Sequence, residues 1–231
     1  MSAVPPKRVQ IGERTMALKA VPFFTSLDDH ELDVIRGLAT EKNYSKNAVV
    51  LTEGEMGDSL YMIQAGKVKV FIGDEDGREI ILKILSAGEF FGEMSMIDKQ
   101  PRSASVTTIE SSTFLVLTHA AFEKTVEQAP RIGNMVMRML AQRVREADRK
   151  IGTLALMDVY GRVASTLLEL AVYKDGKLMV GERLSQQDLA NMVGASREMV
   201  NRILKDLSDR GFISIESKAI TIINRELPPS L

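Results

Sequence analysis

The spacing of apolar residues changes twice along the chain. From Tyr44 to about Leu117 the pattern is one of short strand-like runs broken by glycines: AVVLTEG at 48–54, SLYMIQAG at 59–66, KVKVFIGDEDG at 67–77, REIILKILSAGEF at 78–90 and SASVTTIESSTFLVL at 103–117. Val68, Val70 and Ile72 alternate with polar neighbours, and Phe114, Val116 and Thr118 continue the two-residue period. That period marks strands with one buried face. Seven or eight strands at this spacing predict a β-sandwich, jelly roll or barrel. Gly54, Gly57, Gly66, Gly77 and Gly88 stand where the turns are needed. Ahead of the strands, residues 1–17 read as a flexible arm, Leu18 to Phe24 as a short helical stretch, and Ser26 to Asp29 as the cap of a helix over Glu31 to Ala39.

After Thr118 the period lengthens. Ile132, Val136, Leu140, Val144, Ala147, Ile151 and Leu154 recur every three or four positions, which predicts a long helix with one apolar seam. Arg138, Arg143, Arg145, Glu146, Asp148, Arg149 and Lys150 occupy its other side. Such a seam either lies along its own β-domain or pairs with the same helix of a second subunit; the second reading is the stronger. Gly152 marks a bend or a close helix–helix approach.

The last third reads as mostly helical: a helix from Asp158 to Ala171, a KDGK turn at 174–177, two further helices and a terminal hairpin. In LSQQDLANMVGASREMVNRILKDLS, at 184–208, Ser185 and Asp188 form a capping box and Gly194 ends the first helix. Ser196 caps the second, which turns Met199, Val200, Ile203, Leu204 and Leu207 inward. Two short helices joined by a tight glycine turn match a helix-turn-helix, whose second helix enters the DNA major groove by its N-terminal end. Arg197, Glu198, Asn201, Arg202 and Lys205 face outward. Arginine pairs with guanine O6 and N7, and glutamate accepts from cytosine N4. Ser196 is placed to contact phosphate, and the strands of FISIESKAITIIN form a wing with Lys218 at its tip as a further phosphate contact.

Composition narrows the chemistry. The 231 residues fit one large or two ordinary domains. With no Cys, thiolate zinc sites, cysteine-ligated clusters and a cysteine nucleophile are excluded, and with only His30 and His119 a multi-histidine metal site is not expected. No spacing suggests a carboxylate magnesium or calcium site, so no metal is expected. The sequence presents no signal peptide and no 18-residue apolar run, so the expected location is the cytoplasm, without membrane contact. The net charge of −1 hides a split: residues 149–231 hold 12 basic and 10 acidic side chains, a balance of +2, against −3 elsewhere.

One segment points to a small anionic ligand. In GEFFGEMSMIDKQPRSASV, at 88–106, the backbone amides after Gly92, the fork of Arg102 and the hydroxyl of Ser103 can surround a phosphate. Glu93 beside them favours a hydroxyl-bearing partner such as ribose; a surface Glu–Arg ion pair is the alternative. The segment matches neither a P-loop nor a Rossmann fingerprint. No nucleophile accompanies Glu93, Asp98 and Arg102, so an enzyme is not expected.

Three segments in order carry a resemblance over roughly residues 20–225: the strands with Gly54 and Gly66, the cassette FGEMSMIDKQPRSASV, and GRVASTLLEL followed by GASREMVNRILKDL. The chain resembles the Crp-Fnr family of bacterial transcription regulators. The resemblance implies an α+β fold with three parts: a cyclic-nucleotide-binding β-roll (a jelly roll) over 18–128, a long dimerisation helix over 129–156, and a winged helix-turn-helix over 157–231. It implies a homodimer that binds double-stranded DNA at near-palindromic sites and acts on RNA polymerase. By similarity, Gly92, Ser103 and Ala104 belong to the phosphate site, Arg102 neutralises the cyclic phosphate and Glu93 takes the ribose hydroxyl. Arg197, Glu198 and Arg202 fall on the base-reading positions. The family's Thr-Ser pair that contacts adenine is replaced by Ala147-Asp148; Asp148 can still accept from an amine, at a desolvation cost. The implied effector is cyclic AMP, with cyclic di-GMP, another signal or no ligand as alternatives, and a nucleotide-binding module that does not bind DNA as a rival of another class. The absence of Cys excludes the family's cysteine-ligated iron–sulfur sensor.

Overall fold

The computed structural model describes residues 27–174, 176–180, 185–216 and 219–224. The expected arm over 1–17, the stretch Leu18 to Phe24 and Lys218 lie outside the described residues. The chain divides into two compact units, Met1–Val70 with Ile84–Leu140, and Phe71–Lys83 with Ala141–Leu231.

The first unit is built on strands. Helix α1 (Asp29–Leu38) opens at Asp28, whose carboxylate accepts from the Glu31 amide while Glu31 accepts from the Asp28 amide. It is followed by β1 (Thr40–Tyr44), β2 (Val49–Leu51), β3 (Ser59–Ala65), β4 (Lys67–Gly73), β5 (Glu79–Ser86) and β6 (Phe90–Phe91). Then come a short helix α2 (Glu93–Asp98), β7 (Ser105–Thr108), β8 (Ser112–Thr118) and α3 (His119–Gln128). The strands form two four-stranded sheets, ordered β1-β8-β3-β6 and β2-β7-β4-β5. Tyr61, Ile63, Phe91, Phe114 and Val116 from the first sheet pack against Leu51, Val68, Leu85 and Val106 from the second. The alternate residues of the same strands, Leu60, Met62, Phe90, Leu115 and Leu117, pack against Leu32, Ile35, Met96 and Ile132 of the helices. The first sheet is therefore buried on both faces, and its strands read as continuous apolar runs. This explains why the alternation expected in β8 fails: Phe114, Leu115, Val116 and Leu117 are all buried. Helices α2 and α3 were not anticipated, because neither carries a long apolar period. Thr118, expected to extend the strand period, accepts from the Ala121 amide as the N-cap of α3.

Helix α4 (Pro130–Leu156) is the long helix. Only the start of its seam, Ile132 and Val136, is buried; Val144 is 61% and Ile151 64% exposed, with Leu154 at 41%. The helix runs unbroken through Gly152, and a Cβ there would meet nothing within 4 Å, so the close approach expected at this glycine is not made within the chain.

In the second unit the β4–β5 tip lies against α4. Lys150 Nζ donates to the carbonyls of Ile81 and Leu82, at 2.9 and 3.0 Å, and Lys83 pairs with Glu146 at 3.1 Å. Then follow α5 (Val159–Leu170), β9 (Ala171–Lys174), β10 (Lys177–Val180), α6 (Gln186–Val193), α7 (Arg197–Asp209), β11 (Ile213–Glu216) and β12 (Ala219–Ile222). The core joins Tyr160, Val163 and Leu167 of α5 to Leu189 and Val193 of α6 and to Val200, Ile203, Leu204 and Leu207 of α7. The terminal hairpin is not isolated: β12 pairs with β10, giving a four-stranded sheet in the order β11-β12-β10-β9. The apolar residues on both sides of the Lys174–Lys177 turn carried that signal.

Candidate functional site

In the first unit Arg102 is the centre of a buried polar cluster. Its own backbone is fixed to the loop after β2, since its N–H donates to the Glu55 carbonyl and its carbonyl accepts from the Gly54 amide, both at 2.9 Å. Only 6% of Arg102 is exposed. Nη1 donates to the Gly92 carbonyl and to Ser95 Oγ, each at 2.6 Å, and Nη2 donates to the Ser59 carbonyl at 3.0 Å. All three acceptors are neutral. Burial pulls the guanidinium below its ordinary pKa, against Tyr61, Asp58 and Glu93, whose charges favour the cation. A buried cation held by neutral groups has an unspent capacity for an anion, because arginine has five donors and matches phosphate oxygens with two.

Two glycines make this packing possible. Gly92 has φ +81°, a left-handed conformation that glycine adopts without steric cost. A Cβ on it would sit 2.8 Å from Arg102 Nη1 and from the Ser59 carbonyl. At Gly57 a Cβ would come within 2.5 Å of both Nε and Nη2. Gly57, Ser59 and Ser95 were not singled out from the sequence as site residues; the approach of the 54–57 loop to residue 102 is what reveals them.

The other expected ligand-site residues divide. Glu93 is buried and electrostatically coupled to Arg102. Ala104 is also buried. Ser103 is exposed, and its hydroxyl donates to Met94 Sδ at 3.5 Å, so the serine touching the arginine is Ser95. Asp148 is exposed on α4 in the second unit. Among the described residues no group of three or more His, Cys, Asp or Glu can hold a metal ion, and no described helix is long and apolar enough to cross a membrane.

In the second unit α6 and α7 form the helix-turn-helix. Ser185 and Asp188 make a complete capping box, and Gly194 closes α6 at φ +63°. Ser196 Oγ accepts from the Met199 amide at 3.2 Å and starts α7. Arg197, Glu198, Arg202 and Lys205 are exposed along one face. The Glu198 carboxyl is held below its ordinary pKa, first by its own backbone N–H, then by the Ser196 hydroxyl and the charges of Arg197 and Arg202. It is thus a carboxylate acceptor in the field of two nearby arginines. Asn201 departs from the outward placement expected: it is half-buried, and its Oδ1 is buried without a hydrogen bond among the described residues. At one residue past Val200 it sits on the edge of the packed face. A cavity of about 480 Å³ lies on the four-stranded sheet, bordered by Tyr173, Lys177, Leu178 and Glu216, and not at Arg102.

Comparison with known proteins matches both units. Residues 41–129 match the cyclic nucleotide-binding domain and residues 161–227 the Crp-like helix-turn-helix domain. The CRP-like cAMP-activated global transcriptional regulator of Mycobacterium tuberculosis is 38% identical over 188 residues, 80% of this chain and 84% of the relative. The cAMP-activated global transcriptional regulator Vfr of Pseudomonas aeruginosa is 32% identical over 83% of this chain and 92% of its own. Among solved structures, the c-di-GMP responsive global regulator CLP of Xanthomonas campestris superposes with a TM-score of 0.75 at 26% identity, covering 85% of this chain and all of that one.

Proposed function

The chain belongs to the Crp-Fnr family of transcription regulators, with a cyclic-nucleotide-binding domain and a DNA-binding helix-turn-helix, and from that premise we propose a cyclic-AMP-responsive homodimer that binds near-palindromic DNA. It is a regulator and not an enzyme. The observation that carries the ligand reading is the buried Arg102, whose three hydrogen bonds all go to neutral acceptors. Arg102 takes the cyclic phosphate and Glu93 the ribose hydroxyl, with Gly92 and Ala104 allowing close approach and Ser103 at the rim. Two relatives described as cAMP-activated favour cyclic AMP. The likeness to a c-di-GMP responsive regulator, together with Asp148 in place of a hydroxyl, supports cyclic di-GMP as the second reading.

The exposed seam of Val144, Ile151 and Leu154 supports dimerisation along α4. Burying an exposed Val, Ile or Leu side chain stabilises by about 1.5–3 kcal/mol. Two copies of α7 then meet successive major grooves about one turn apart. Arg197 and Arg202 read guanines, Glu198 accepts from cytosine, and Ser196 and Lys205 hold phosphate. The dimer has two arrangements, and the nucleotide shifts their balance only by binding one more tightly. The bound protein recruits or blocks RNA polymerase.

The test is operator binding by fluorescence anisotropy, using a site obtained by selection, with saturating cyclic AMP, cyclic GMP or cyclic di-GMP. The expected result is a gain of about 5–150-fold in operator affinity with cyclic AMP. Equal affinity with and without every nucleotide sinks nucleotide control while leaving DNA binding in place. Arg197→Ala and Arg202→Ala should each abolish discrimination at one base position; retained discrimination in both removes them from base reading.

A further inference from the structure

Arg102 offers five N–H donors, and the structure accounts for three of them. Both Nη1 donors are engaged, one by the Gly92 carbonyl and one by Ser95 Oγ, and one Nη2 donor goes to the Ser59 carbonyl. The Nε–H and the second Nη2–H carry no hydrogen bond among the described residues. These two lie along one edge of the guanidinium, the pair that grips two oxygens of a phosphate side by side. That edge is the one on which a Gly57 side chain would fall, 2.5 Å from Nε and from Nη2. Ser95 is therefore on the opposite side of the guanidinium from the edge a ligand would use.

We infer that Ser95 is the positioning residue of the anion site: its hydroxyl locks the Nη1 end of Arg102 and so aims the Nε–Nη2 edge at the phosphate. This rests on the reading of Arg102 as the phosphate-binding group. Ser95 is 4% exposed and 2.6 Å from Nη1, so water does not replace it easily. The two carbonyls alone leave one Nη1 donor without an acceptor and the guanidinium freer to turn about its Cδ–Nε bond relative to the ligand. A fixed side chain binds more tightly than one that must be ordered on binding, because the ordering cost has already been met by folding. Ser103, by contrast, directs its hydroxyl at Met94 Sδ and leaves the arginine alone.

The experiment measures binding of cyclic AMP and of its Rp and Sp phosphorothioates to the full chain by isothermal titration calorimetry, for the parent, Ser95→Ala, Arg102→Lys and the double variant. Each phosphorothioate puts sulfur at one of the two exocyclic oxygens, so a fixed guanidinium edge discriminates between them. Ser95→Ala is expected to weaken cyclic AMP on the order of tenfold, the scale of one charge-assisted hydrogen bond. It should also move the Rp to Sp affinity ratio towards one. In the Arg102→Lys background, which keeps the charge without the fork, the same change should cost under about twofold, since the effect of Ser95 runs through the guanidinium. Parent-like affinity with an unchanged Rp to Sp ratio, or equal losses in both backgrounds, overturns the positioning role. Absence of binding in the parent as well overturns both it and the reading of the pocket, and is recognised by a silent Arg102→Lys.

Discussion

Gly57→Ala tests the geometry of the anion site most directly. The added methyl would come within 2.5 Å of Arg102 Nε and Nη2 and 2.7 Å of Cζ. Ordinary contact needs about 3.5 Å, so the guanidinium or the loop must move by roughly 1 Å. The loop is held by the backbone bonds Gly54 N–H to Arg102 carbonyl and Arg102 N–H to Glu55 carbonyl, each 2.9 Å, so the side chain yields first. A 1 Å shift takes the contacts to Gly92 and Ser95, now 2.6 Å, to the outer limit of hydrogen bonding. Hydrogen bonds to charged groups contribute about 1.5–3 kcal/mol each, so loss of one corresponds to about 10–100-fold. The methyl also covers the edge that the proposed site assigns to the phosphate. Cyclic-nucleotide affinity, measured by calorimetry, should therefore fall by at least about 30-fold, and a thermal melt should show a folded roll. Affinity within twofold of the parent, in a folded variant, refutes the assignment of that edge to the ligand.

Three further outcomes follow from the same structure. Val144→Glu combined with Ile151→Glu puts charges on the exposed seam of α4 and should convert the proposed dimer to monomer in sedimentation at micromolar concentration; an unchanged mass removes the seam from the interface. Glu146 is pushed up by burial, but hydrogen bonds from Gln142 and Lys83 and the charges of Lys83 and Arg149 outweigh this and lower its pKa below 4.5. Its contribution to stability is thus present above the unfolded value of 4.5 and is lost as pH falls through the depressed folded value, so the parent should lose its advantage over Glu146→Gln in melts as the pH is lowered below 4.5. In the second unit Tyr160 donates to Asp206 at 2.7 Å and receives Arg210 at 3.3 Å, and burial followed by the Asp206 bond raises the phenol to about 12. Tyr160→Phe should leave Asp206 without that donor and destabilise the unit by about 1–2 kcal/mol in denaturant titration, while a change within error assigns the bond no net value.

Two strands of chemistry meet in a single chain here, and their physical demands differ. The sensory unit keeps a cation buried, at a desolvation cost that an anionic ligand can offset. The helix-turn-helix keeps its charges in water, where the charges of Arg197 and Arg202 help hold the Glu198 carboxyl below its ordinary pKa. Salt should therefore weaken DNA binding steeply, through phosphate contacts.

The sequence by itself determined the elements whose rules are local. The cap within Ser26–Asp29, the capping box at Ser185–Asp188, the glycine stop at 194 and the long seam from Ile132 all follow from contacts three or four residues apart. The same holds for the strand texture and for the exposed face of α7. The cassette also named Arg102, Glu93 and Gly92 by type and order. Only the tertiary structure decided which neighbour each of these meets. Leu115 and Leu117 are buried because helices cover the outer face of the sheet, and β12 finds β10 across a chain separation of some 40 residues. Ser59 and Gly57 reach Arg102 across more than 40 positions, and the hydroxyl on the arginine comes from Ser95 rather than from the adjacent Ser103. Asn201 turned inward by the same logic, since a helix face has an edge whose burial depends on what packs beside it. Local hydrogen bonds and periodicity are encoded in short windows, whereas the environment of a buried charge is set by segments that only folding brings together.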